Sequence, residues 1–414
     1  MSPSVDSNVD FHCYGCGHSC PARPRGACCT RCGEPYSLRH VGACSGDVFR
    51  SQPGSLWHYE DLLPVRSRDS VVSMGEGATR LIDAPRLAAR LGMRQLLLKN
   101  ETSNPTGSFK DRQVSVGISH ARELGHETVA VVSSGNVACA AAAYAARSGM
   151  KAVLFMHGMA GGGKIAQAAS YGAKVVKVDS PSARTVFDLC IEACDAFGWY
   201  HLSTAGMHEP YNVEGAKTIA YELFQQTCGD LPDWIVAPVG GGGLLGGIWR
   251  GLLDLKRLGL IETLPRLAGA QAVGCAPLKD AIAHSTPFLE TLQHPWPNPH
   301  SVAGGIADDI LFDGHTVLPA IRTTQGAAFA VTDEEILDAE TELASTEGIL
   351  CEPSSAAAIA ALKHLRPESG SNRVCCIVTG TGIKDLEVLR GRVNEPIQIA
   401  PNLPDLAKVL GESL

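Results

Sequence analysis

Several large classes of protein are excluded by what this sequence does not contain. No uninterrupted apolar stretch approaches the ~18 residues of a membrane-spanning helix, so no membrane span is expected. Basic residues are not in excess: 35 Lys and Arg stand against 43 Asp and Glu, a net charge of -8. That balance argues against a nucleic-acid footprint or a basic membrane patch. The first residues, MSPSVDSNVD, have neither a basic start nor an apolar core, so no signal peptide is expected. There is no low-complexity tract and no internal repeat of the ~20–50 residues that marks a repeat architecture.

What is present is a chain of 414 residues, 45% of them hydrophobic, long enough for two or more packed domains. Its 15 cysteines are unevenly placed, with seven in the first 44 residues. Others, such as Cys139, Cys190, Cys194 and Cys375, fall in apolar helix or strand patterns, where free thiols behave as small hydrophobes. A reducing cytoplasm suits this better than a disulfide scaffold. Cys13 and Cys16 form one C-x-x-C-G turn, and Cys29 and Cys32 form another. Two such knuckles predict a tetrahedral structural zinc site in a small ribbon, over residues 11–44. Cys20 and Cys28 are possible substitute ligands. No strand–helix unit surrounds either pair, which disfavours a redox role.

From Leu56 onward the pattern alternates. Short apolar runs at 95–99, 128–132, 152–156, 174–178, 234–237 and 374–378 read as buried strands. Amphipathic or Ala-rich stretches at 137–147, 183–197, 214–226 and 333–347 read as helices, and HPWPNPH at 294–300 as a surface loop. The alternation predicts an α/β architecture with mostly parallel sheets, whose ligands gather at the carboxyl ends of strands.

The loops there carry the chemistry. NPTGSFKDR, residues 104–112, sets Lys110 at the mouth of a helix, where the dipole disfavours a cation. An easily neutralised amine is what Schiff-base chemistry needs. Ser133, Ser134, Gly135 and Asn136 follow one strand and open a helix, as a carboxylate cradle or as an ordinary N-cap. Gly240, Gly241, Gly242 and Gly243 follow another, with bare amides able to wrap a phosphate. Their weak match to a dinucleotide fingerprint lacks the acidic residue after the next strand, and no Gly-Lys-Ser/Thr makes a P-loop. Thr379 ends a third strand. An amine, a carboxylate cradle, a phosphate cup and a strand-end hydroxyl together fit pyridoxal phosphate.

The stretches MGEGATRL, KNETSNPTGSFKDR, SSGN, PYNVEGAKT, GILCEPSSAA and VTGTGIKD carry a more specific likeness. The chain resembles the threonine synthase family of fold-type-II pyridoxal phosphate enzymes over essentially its full length. The resemblance implies two α/β domains with the cofactor in the cleft: a large one over 45–112 and 209–414, and a small one over 113–208. It implies a cytoplasmic homodimer acting on a small amino-acid substrate. By the same likeness Lys110 would hold the cofactor, Asn136 the ring hydroxyl, the four glycines the phosphate, and Thr379 the ring nitrogen. Ser133, Ser134, Gly135 and Asn212 would face the substrate.

The chain also departs from that family. The usual cup, Gly-Asn-x-Gly-Asn, is four glycines and then Leu244. An arginine is replaced by Asn212, and a threonine by Val137. The stretch from Gly304 to Asp308 resembles loops of threonine and serine ammonia-lyases. The expected chemistry is therefore elimination or replacement at the β or γ carbon of an activated amino acid, such as phosphohomoserine. A threonine/serine-type ammonia-lyase and a β-replacement synthase acting on phosphoserine are alternatives. A ligand-binding pseudoenzyme is a further one, which the intact Lys110 disfavours.

Overall fold

A computed structural model describes residues 8–42, 44–157, 162–180, 183–365, 373–393 and 396–411. Met1–Lys384 form one compact unit and Asp385–Leu414 another.

The first unit opens with an antiparallel ribbon of β1 (Val9–His12), β2 (Ser19–Pro21) and β3 (Ser37–His40), in the order β2-β1-β3. Its knuckle glycines, Gly17 and Gly33, have φ of 72° and 83°. Each donates its N–H back to the first cysteine's carbonyl, at 2.9 Å. Such φ values strain any side chain, which is why glycine closes each turn. The turns bring Sγ of Cys13, Cys16, Cys29 and Cys32 within 4.8 Å of one another. All 15 cysteines are free thiols, and Cys20 and Cys28 stay outside this group. The ribbon's core, Phe11, Tyr36 and Leu38, is completed by Tyr211 from far along the chain.

The larger sheet comprises β4 (Leu81–Asp83), β5 (Gln95–Asn100), β10 (Trp234–Pro238), β11 (Arg266–Ala272), β12 (Ala327–Val331) and β13 (Arg373–Val378). Its order is β12-β11-β10-β13-β5-β4, parallel except for β4. The smaller sheet, order β8-β7-β6-β9, is parallel throughout: β6 (Thr128–Val132), β7 (Lys151–His157), β8 (Lys174–Val178) and β9 (Tyr200–His201). β5 and β13 read as unbroken apolar runs because helices cover both faces, as parallel sheets require. Leu96, Leu98, Cys376 and Val378 point into one core cluster, Leu97, Cys375 and Ile377 into the other.

Two expectations change. The helix read over 214–226 begins as a 3-10 turn, Asn212–Lys217, and becomes α-helical only at Thr218–Gln226. The turn packs tightly against the Lys110 helix: a Cβ on Gly215 would lie 2.0 Å from the carbonyl oxygen of Arg112, so only glycine fits there. The large domain is expected from sequence to run to residue 414, whereas Asp385–Leu414 form a unit of their own. That unit holds the helix Leu403–Leu410, capped by Asn402 and ended by Gly411.

Candidate active site

The turn before Lys110 and the residues after it are held from three directions. Asp111 accepts hydrogen bonds from the backbone N–H and hydroxyl of Thr106, both at 2.8 Å. Arg112 is fully buried and pairs with Glu101 at 2.7 Å and Glu222 at 2.5 Å, while Lys99 pairs with Glu222 at 2.6 Å. From the third direction, Phe109 N–H donates to the Thr379 carbonyl at 2.9 Å and Thr381 N–H to that of Gly107 at 3.0 Å. A bridge between Ser108 and Gly380 completes this clasp. The lysine that starts the helix Lys110–Glu123 is thus carried on a backbone with little freedom.

Lys110 is half-buried, its Nζ 4.7 Å from the Phe109 ring centre and donating to Gln113 Oε1 at 3.2 Å. Burial lowers its pKa from 10.5 to about 8, opposed by the carboxylates of Asp308, Asp313 and Glu352. Desolvation is the leading cause, where the sequence suggested the helix dipole. The neutral amine is the form that attacks an aldehyde, and its fraction rises with pH: roughly a tenth at one unit below the pKa, half at it. Capture of pyridoxal phosphate by the cofactor-free protein should therefore accelerate about tenfold per pH unit below pH 8 and level off above. Stopped-flow absorbance across pH 6–10 checks this; a rate still climbing towards pH 10 would mean an ordinary lysine.

Around this amine the structure gathers most of the residues the sequence singled out. Gly240, Gly241, Gly242 and Gly243 wrap the start of the helix Gly243–Arg257. A Cβ on Gly240 would come within 2.6 Å of Asp308 Oδ2, and one on Gly243 within 3.0 Å of the Thr204 carbonyl. The cup is bare because side chains have no room. Ser133, Gly135 and Asn136 are half-buried and Ser134 is exposed. Asn136 donates from Nδ2 to both Glu352 oxygens, at 2.8 and 2.9 Å, and accepts from Lys384 Nζ at 3.1 Å. Thr379 is buried, its hydroxyl 2.7 Å from that of Ser355, whose oxygen also receives the Thr379 and Gly380 N–H groups.

Asn212 is different. It is fully buried against the Lys110 helix, donates to the Ser203 carbonyl at 2.7 Å, and meets the bare face of Gly117. A substrate contact from that position is not available to its amide nitrogen, because the 3-10 turn that begins there packs it inward. Other residues at the site carry no role that the sequence alone assigns. Glu352 precedes a helix that starts with Pro353 and reads as a helix cap; Lys384 and Ser355 sit inside recognised motifs without a role. Asp308 and Asp313 come from a loop remote in sequence, and burial raises the pKa of both, Asp313 to about 7.

The residues fit pyridoxal phosphate. The glycine cradle has no room for side chains, and the buried Gln113 Nε2 at its floor has no hydrogen-bond partner among the described residues. A family profile described as pyridoxal-phosphate dependent enzyme matches residues 72–380. The chain belongs to the threonine synthase family of fold-type-II pyridoxal-phosphate-dependent enzymes. It is 35% identical to the threonine synthase of Methanocaldococcus jannaschii over 408 residues, 93% of this chain and 99% of that one. Against the threonine synthase of Methanosarcina acetivorans it is 36% identical, covering 92% and 98%. Among solved structures, maize serine racemase superposes with a TM-score of 0.65 at 22% identity, covering 76% of this chain and 91% of that one, a likeness of fold. A threonine deaminase from T.th. gives 0.62 at 27%, covering 73% and 92%. The chain is therefore a pyridoxal-phosphate-dependent lyase of threonine-synthase type. No helix among the described residues is long and apolar enough to cross a membrane.

Proposed function

We propose that this enzyme eliminates a leaving group from the β or γ carbon of an activated α-amino acid and adds water or another nucleophile in its place, as in the conversion of phosphohomoserine to threonine. The observation that carries the reading is the Lys110 amine, hydrogen-bonded to Gln113, whose Nε2 lies at the glycine cup, and depressed by burial near the Glu352 carboxylate that Asn136 also meets. When bound, pyridoxal phosphate supplies the electron withdrawal that loosens bonds at the substrate's α carbon. Ser133, Ser134 and Gly135 bind the substrate carboxylate through hydroxyls and free amides at a helix start. Asn136 orients the ring through its amide, which Glu352 and Lys384 hold in place. Gly240, Gly241, Gly242 and Gly243 take the phosphate, and the Thr379 hydroxyl faces the ring nitrogen. A hydroxyl there does not keep that nitrogen protonated, which suits prompt elimination. Lys110, freed by substrate, moves protons at the α, β and γ carbons. A visible band bleached by borohydride, together with phosphate and threonine release from phosphohomoserine, tests the reading. A colourless protein that releases neither would refute it.

A second reading is favoured by the carboxylates of Asp308, Asp313 and Glu352 around Lys110. Carboxyl groups, even where burial keeps some of them protonated, offer a second phosphate dianion no positive charge to pair with. On this reading the substrate's leaving group is not phosphate, and the product is a keto acid with ammonia or a β-substituted amino acid. Kinetics against serine, threonine, phosphoserine and phosphohomoserine separate the two.

The sulfur atoms of Cys13, Cys16, Cys29 and Cys32 would hold one structural zinc, since four thiolates leave no coordination position open. One zinc per chain is expected by metal analysis, and Cys29→Ser should lose it while the visible band persists. Wild-type protein that is metal-free yet equally heat-stable would refute the site. A homodimer in the cytoplasm is the expected state.

A further inference from the structure

Among its buried polar groups, one side chain connects the two ends of the cofactor site. Gln113 lies one turn after Lys110 on the same helix face, at the i,i+3 spacing that brings side chains together. It is fully buried. Its Oε1 accepts from Lys110 Nζ at 3.2 Å. Only an oxygen can accept from an ammonium, so the amide's orientation is fixed and Nε2 must point the other way. There it lies 3.5 Å from where a Cβ on Gly243 would sit, at the floor of the glycine cup, and among the described residues it has no hydrogen-bond partner. A buried amide nitrogen left unpaired is uncommon, and this one lies at the cup where an anion would be cradled. The cup itself, four glycines followed by Leu244, offers no polar side chain of its own.

We propose that Gln113 is a positioning residue that spans the site, holding the Lys110 amine through Oε1 and donating from Nε2 to the phosphate monoester of the cofactor. It supplies from the neighbouring helix the side-chain amide that the cup lacks. The proposal rests on the pyridoxal phosphate reading. A competing arrangement at that floor is a water bridging Nε2 to Asp313 Oδ2, which is also buried and without a partner among the described residues, 3.1 Å from the same Cβ position.

The test compares pyridoxal phosphate with pyridoxal, which has the aldehyde but no phosphate. Dissociation constants are measured on cofactor-free wild type, Gln113→Met, which keeps the volume, and Gln113→Glu, which keeps the shape but replaces donors with an acceptor. Gln113→Met should weaken pyridoxal phosphate by about ten- to a hundredfold, the worth of a hydrogen bond to a charged group. Pyridoxal should lose less than about threefold, and Gln113→Glu should lose still more of the phosphate form. Equal losses for both ligands, or none, overturn the proposal and leave the bridging water. If either variant misfolds, the wild-type side-chain amide resonance of Gln113 decides: it should shift with pyridoxal phosphate and not with pyridoxal, and an identical response to both overturns it. A wild type that forms no borohydride-sensitive band with either ligand defeats the cofactor reading itself, and the proposal with it.

Discussion

Lys110→Ala should lower turnover by about four orders of magnitude, the loss expected when a covalent and proton-transferring group is removed. The fold should survive, because the side chain is half-buried and gives up the Gln113 bond, the contact with the Phe109 ring and the attraction of three carboxyl groups that burial already disfavours as ions in two cases. A melting temperature within about 3 °C of wild type is expected. The cofactor should still bind in the glycine cup, but without the borohydride-sensitive band. Steady-state kinetics, absorbance and a thermal melt on one preparation check all three. Wild-type turnover in this variant would refute the assignment of Lys110.

Arg112→Met should be the most destabilising single change near the site. It would strand Glu101 with no cation and leave Glu222 with Lys99 alone, in a region with no exposure to water. Breaking a buried ion pair by removing one partner costs about 3–5 kcal/mol, far more than the pair contributes over a well-packed apolar replacement. The backbone carrying Lys110 would loosen with it, since residue 112 is the anchor of that first helical turn. Urea unfolding of the cofactor-free protein should show an unfolding free energy lower by that amount, seen as a lower midpoint at unchanged slope. A midpoint unchanged from wild type would mean that the ion pairs carry no stability. The triple variant Arg112→Met, Glu101→Leu, Glu222→Leu should recover part of the loss, since it removes the stranded carboxylates as well.

Much of this was legible from sequence because the signals are local. Parallel strands buried on both faces announce themselves as apolar runs, and all six runs read as strands, those at 95–99, 128–132, 152–156, 174–178, 234–237 and 374–378, lie within a residue of the observed bounds. Lys110, the glycines and the 133–136 loop follow strands or open helices, where turn chemistry is conspicuous. What sequence could not give is set by long-range contact. β9 is two residues long and β12 is a sheet edge with half-buried side chains, so neither has a strong period. Gln113 looks like a polar residue on an amphipathic helix until the fold brings Gly243 against it. Asn212 looks available until Gly117 is seen to make room for it inside. Glu352 reads as a helix cap, and its bonds to Asn136 span 216 residues.

That separation has a consequence for how the protein is made. β5, which leads into the Lys110 loop, finds its parallel neighbour only in β13, about 280 residues later by the register of Gln95 with Arg373. The clasp at Gly107 and Ser108 needs Gly380 and Thr381. On a ribosome adding ~5–20 residues per second, the reactive lysine is therefore synthesised well over ten seconds before its setting can exist. The smaller sheet, drawn from residues 128–201, is complete long before then. A growing chain would carry the smaller sheet beside an exposed half of the larger one, and the setting of Lys110 could not close until residues 373–381 had emerged.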